Sequence, residues 1–134
     1  MYLVIDTWVW EKAQQAEPES MELLAKIQRK CEHKIIYDYE GEILDEYRKH
    51  IKQPPIVKLF SIMTQTQKIK PRPKGPIKIE GFDKSDLKFI QVAVSCSALV
   101  VSGESDFLEL RERFLKNNNQ KIQILTPAEA LDRL

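Results

Sequence analysis

Residues Ser85–Phe107 read SDLKFIQVAVSCSALVVSGESDF, and three signals follow one another along them. Over Ser85–Ser97, the residues Leu87, Phe89, Ile90, Val92, Ala93 and Val94 cover most of a helix circumference, the mark of a buried helix. Leu99–Val101 is an apolar run too short for a helix, and it reads as a buried strand. The polar turn Ser102-Gly103-Glu104-Ser105-Asp106 then leads into an amphipathic helix over Asp106–Lys116. Helix, buried strand, polar turn and helix in that order make the repeating unit of a parallel sheet with helical crossovers.

The flanking chain continues the alternation. Tyr2–Ile5 is a short apolar strand stopped by Asp6, and Met21, Leu23, Leu24 and Ile27 form a helical stripe within Ser20–Lys30. Lys34–Tyr37 reads as a second short strand, and Glu40–His50 as a helix with Ile43, Leu44 and Tyr47 on one face. After Pro54–Pro55 a short helix fits residues 56–67. The segment KIKPRPKGPIK, Lys68–Lys78, is basic and proline-rich, and is expected to be an extended loop. A final strand over Ile122–Leu125 precedes Thr126-Pro127-Ala128-Glu129, a capping box with proline at the first helical position. The expectation is an α/β fold in a single domain over residues 1–134, with a basic Pro-rich loop at about 68–80.

The chain has 134 residues, 43% of them hydrophobic and 31% charged, with a net charge of +1. That is the profile of an ordinary globular domain, which at this size removes roughly two-thirds of its unfolded surface from water. Bulk charge therefore says nothing about partners. Cys31 and Cys96 form no CxxC pair, and two free thiols in a reducing cytosol are expected. No basic leader followed by a long apolar stretch opens the chain, and no apolar run approaches the ~20 residues of a membrane helix. A cytoplasmic protein, off the membrane, is expected.

In open parallel sheets ligands bind beyond the carboxyl ends of the strands, where the strand order reverses. Three of the four strands read here are followed by acidic residues. Asp6 closes the first strand. Glu42 and Glu46, four apart and on one helix face, follow the second; Glu104 and Asp106 follow Leu99–Val101; Asp83 and Asp86 open the helix before it. Carboxylates crowded together repel one another unless a cation sits among them. Hard oxygen donors in that number suit Mg²⁺ or Mn²⁺ rather than Zn²⁺. One or two such ions can activate water for attack on a phosphodiester. His33 and His50 stand near no strand end of this set, so no histidine general base presents itself.

Each acid also has a plainer reading. Asp6 could cap a turn, Glu42 and Glu46 could be solvated helix charges, and Asp86 and Asp106 could be first-turn acids favoured by the helix dipole. Asp83 is best read as an N-cap. Trp8 and Trp10 read as packing residues more readily than as a base-stacking surface.

Taken together, VID (Asp6), EILDEY (Glu46), SDLKFIQVAVSCSALVVSGESDF and ILTPAEALDRL resemble the PIN-domain family over essentially the whole chain. In the family's pattern Asp86 matches the first acid of the long motif, Ser102 the serine or threonine, Glu104 the next acid and Asp106 the last. The resemblance implies a three-layer α/β/α sandwich with a central parallel sheet. It also implies an acidic pocket for Mg²⁺ or Mn²⁺ built from Asp6, Asp86, Glu104 and Asp106 with Glu46, and endonucleolytic cleavage of single-stranded or structured RNA. The family usually has Asp where this chain has Glu104, one methylene longer. Many small free-standing members are toxins of toxin–antitoxin pairs, so an antitoxin partner belongs to this expectation. Homodimers are common in the family, although no feature of the sequence itself calls for one.

Arg48–Lys78 contains nine Lys and Arg residues and not one Asp or Glu. Such a stretch is the footprint expected for phosphate contacts, with Lys68, Lys70, Arg72 and Lys74 as the candidate residues; the plain alternative is a solvated loop. Two functions from different classes follow. One is a metal-dependent endoribonuclease. The other is a PIN-like RNA-binding or protein-interaction module whose site has decayed at Glu104. A phosphoryl-transfer receiver domain fits less well, because no downstream lysine can be placed for it.

Overall fold

The computed structural model describes residues 1–118 and 121–134. Strands and helices alternate as β1 (Tyr2–Ile5), α1 (Thr7–Gln14), α2 (Pro18–Arg29), β2 (Lys34–Asp38), α3 (Glu42–His50), α4 (Pro54–Gln65), β3 (Ile69–Arg72), α5 (Lys84–Cys96), β4 (Leu99–Val101), α6 (Ser105–Lys116), β5 (Gln123–Leu125) and α7 (Pro127–Arg133). The five strands form one all-parallel sheet in the order β3-β2-β1-β4-β5. The expected α/β/α sandwich with a central parallel sheet is the fold.

Its layers follow from the handedness of parallel crossovers. Connections that step from β1 towards β3 put their helices on one face; those that step back through β4 to β5 put theirs on the other. Accordingly α1 packs on α2, α3 and α4, and α2 on α7, while α5 lies across β1 to β4. Leu3, Val4, Ile5, Ile35, Ile36, Val100 and Val101 are fully buried, as strands covered on both faces require. No helix among the described residues is long and apolar enough to cross a membrane.

One stretch goes beyond the expectation and another differs from it. Thr7–Gln14 is a helix, because Val9, Trp10 and Ala13 all turn into the core. The segment at 68–80 is not wholly a loop: Ile69–Arg72 forms strand β3, paired with β2 from Ile35↔Ile69 to Asp38↔Arg72. Pro71 lies within it, which is possible because β3 is an edge strand and one side of it needs no donor. The residues after it explain why α5 is apolar nearly all round. Gly75 N–H donates to the Gln91 carbonyl at 2.6 Å, and a Cβ at Gly75 would come within 2.9 Å of Val94. The proline-rich strap thus covers the face of α5 that the sheet does not.

Candidate functional site

The strand order reverses between β1 and β4, so the crevice for a ligand opens at their carboxyl ends. Two ladders continue one residue past the strands there: Asp6 N–H reaches the Val101 carbonyl at 3.0 Å, and Ser102 N–H reaches that of Leu125 at 2.9 Å. They fix the backbone of both acidic turns against the sheet.

Asp6 is the N-cap residue of α1, and Glu104 that of α6; neither carboxylate caps its helix. Asp6 instead accepts from Ser102 Oγ at 2.7 Å, and Ser102 Oγ in turn accepts from Glu104 N–H at 3.0 Å. Asp86 enters from the first turn of α5, behind Asp83, whose side chain caps that helix at Ser85 N–H as expected. One carboxylate oxygen from each of Asp6, Asp86 and Glu104 lies within 4.8 Å of the others. All three carboxylates stand at the N-termini of helices, α1, α5 and α6, whose positive ends partly offset their charge.

The offset is incomplete. Burial holds the Asp6 carboxyl, only 2% exposed, up at about 8, with Glu104 and Asp86 adding to the rise and the Ser102 hydrogen bond opposing it. Burial raises Asp86 to about 6, helped by Glu104, Asp83 and Glu46 and opposed by Lys88. Glu104 is raised as well, first by burial and then by Asp106, Glu11 and Glu46, against its hydrogen bond with Asp6. A carboxylate cluster that cannot hold its full negative charge is relieved by a cation. The donor set is all hard oxygen, which fits Mg²⁺ or Mn²⁺. The extra methylene of Glu104 does not keep it out of the group, because its N–H is anchored on Ser102.

Glu46 faces this end of the molecule and Glu42 does not: Glu42 is exposed and pairs with Lys74 at 3.0 Å. Glu46 is nevertheless outside the group of three. Its two oxygens take the Thr7 hydroxyl and the Lys88 ammonium, the latter at 2.8 Å. Asp106 also stands outside. It is exposed in the first turn of α6 and lines a separate hollow with Phe82, Asp83, Glu109 and Arg113. It remains close enough to Glu104 for its charge to raise that carboxyl's pKa.

The basic candidates do not form one track beside the site. Lys68 is buried and donates to the Lys30 and His33 carbonyls, which lie at the opposite end of the sheet. Arg72 stacks 5.1 Å from the Tyr2 ring and donates to its hydroxyl at 2.9 Å. Lys74 pairs with Glu42 and lies 3.9 Å from buried Asp38. Lys70 is half-buried on the edge strand β3. Alternation along a strand and local charge pairing thus take up side chains that look free in a proline-rich stretch.

Four residues that support the site are not among the candidate site residues read from the sequence. Thr7 and Lys88 hold Glu46. Asp38, the fully buried last residue of β2, accepts from Glu42 and Ile43 N–H at the start of α3; its place at a strand end was the available cue. Trp8 lies against Gly103, where any Cβ would run into the indole. Trp10, by contrast, is buried between Tyr47 and Phe60, as a packing residue.

No family model matches the chain, and no solved structure matches it significantly. Among curated proteins, an uncharacterized protein of Methanocaldococcus jannaschii is 36% identical over 52 residues, 37% of this chain and 34% of that protein. The chain therefore spans about a third of the length of the relative it matches, and that likeness brings no activity with it.

Proposed function

We propose that the protein is a metal-dependent endoribonuclease of the PIN type, hydrolysing RNA phosphodiester bonds at the Asp6–Asp86–Glu104 cluster. The observation that carries this reading is the convergence of those three carboxylates, from three separate helix starts, within 4.8 Å at the reversal point of the sheet. Asp6, Asp86 and Glu104 would hold Mg²⁺ or Mn²⁺, which when bound supplies an activated water and neutralises charge at phosphorus. The chain's own part is geometric. Ser102 orients Asp6 and anchors Glu104, and Thr7 and Lys88 keep Glu46 at the rim of the cluster. RNA as the substrate, and an antitoxin as partner if the protein is a toxin, come from the resemblance of the VID, EILDEY and SGESDF motifs.

The test is cleavage of RNA by purified protein. Activity with Mn²⁺ or Mg²⁺ that stops with a chelator and in Asp6→Asn is the expected result. Metal-independent cleavage, or full activity in Asp6→Asn, would sink the reading. The second reading, an RNA-binding or protein-interaction module with a decayed site, is favoured by Glu104 standing where the family has Asp. It takes over if RNA binds while Mn²⁺ does not bind at millimolar concentration.

A further inference from the structure

Glu46 lies beside the three-carboxylate cluster without joining it, and Lys88 is the reason. Two residues beyond Asp86 on α5, Lys88 has a side chain only 8% exposed. Its ammonium donates to Glu46 Oε1 at 2.8 Å and to the Ser85 carbonyl, and lies 5.0 Å from the centre of the Phe89 ring. The other Glu46 oxygen accepts from Thr7 Oγ1. Both oxygens of the fourth carboxylate are thus engaged by the chain itself. A nearly buried positive charge stands against the carboxylate beside the cluster.

In two-metal phosphodiesterase sites the ions sit about 3.5–4 Å apart and need carboxylates free to bridge or flank them. Here both Glu46 oxygens already accept a hydrogen bond, and the Lys88 ammonium 2.8 Å from one of them repels a second dication drawn to Glu46. We propose that Lys88 replaces the second metal ion: the site takes one divalent cation on Asp6, Asp86 and Glu104, and Lys88 supplies the positive charge at Glu46. This rests on the reading of those three carboxylates as a cation site.

The experiment is to count ions by titrating Mn²⁺ into the protein and following the electron-paramagnetic-resonance signal of the free ion. One Mn²⁺ per wild-type chain is expected. Lys88→Gln removes the charge and keeps a donor for Glu46; it should gain a second ion, with a spectrum broadened by coupling between neighbouring Mn²⁺. Lys88→Arg should keep one. Two ions in the wild-type chain, or a single ion with unchanged affinity in Lys88→Gln, would overturn the proposal. Two ions in the wild-type chain overturn it even if Lys88→Gln does not fold. A wild-type count of zero would reject the cation site itself, and this inference with it.

Discussion

Ser102 Oγ donates to Asp6 Oδ2 at 2.7 Å, joining side chains 96 positions apart across the seam between β1 and β4. The same oxygen accepts from Glu104 N–H, so one hydroxyl positions two of the three clustered carboxylates. Polar groups that hold ligands in place commonly matter 10–100-fold to metal affinity. Ser102→Ala is therefore expected to weaken Mn²⁺ binding by about tenfold or more and to cost about 1 kcal/mol of stability. Calorimetric titration with Mn²⁺ and thermal unfolding of the same sample check both.

Asp6 makes metal-free stability depend on pH in a definite direction. Its folded pKa, about 8, lies above the ordinary 3.8, so the folded state holds the proton more tightly than the unfolded chain. The contribution is fully present below about pH 4 and is lost as pH rises through about 8. In chelator, Asp6→Asn is expected to become more stable than wild type as pH rises, by a few kcal/mol at pH 9. Thermal melts across pH 4–9 measure the difference; a gap that does not change with pH would refute the assignment.

His33 acts at the acid end by the opposite sign. It is buried, and among the described residues neither ring nitrogen has a hydrogen-bond partner. Burial lowers its pKa below 6.5, with the N-terminal ammonium, Lys30 and Lys68 pushing the same way and Glu32 opposing. Its neutral form is the one the fold accepts, so stability is lost as pH falls below 6.5 towards its folded value. His33→Leu should remove that part of the acid sensitivity in urea titrations at pH 5 and pH 7.

Gly103 supports the cluster through contact rather than charge. Trp8 packs on its Cα, and Gly103→Ala would push the indole away or shift the turn that carries Glu104. Overpacking of this kind typically costs about 1–3 kcal/mol. The variant is expected to melt lower, to change its tryptophan fluorescence and to bind Mn²⁺ more weakly than wild type.

Much of this was legible in the chain because apolar runs and acidic turns alternate. Leu99–Val101 reads as a covered strand, and Asp6, Asp86 and Glu104 each sit at an element boundary that a parallel sheet gathers at one end. The misplaced parts have physical causes. Strand β3 contains Pro71, a residue that reads as a loop unless the strand is known to be an edge. Lys68, Arg72 and Lys74 look like a phosphate track in sequence, yet three-dimensional pairing with carbonyls, Tyr2 and Glu42 uses them within the fold. Asp106 lies two residues past an N-cap, exposed in the first turn of α6, where it acts on Glu104 by charge without joining the group of three. Lys88 sits on a helix apolar nearly all round, where a lysine gives no hint of its partner until α3 is packed beside it.

The central claim is that Asp6, Asp86 and Glu104 form one cation site. A crystal soaked in Mn²⁺ and measured at the manganese absorption edge tests it most directly. The account predicts an anomalous peak within about 2.0–2.4 Å of an oxygen from each of the three carboxylates. Millimolar Mn²⁺ that leaves no peak among them, or a peak held by other residues alone, would contradict it.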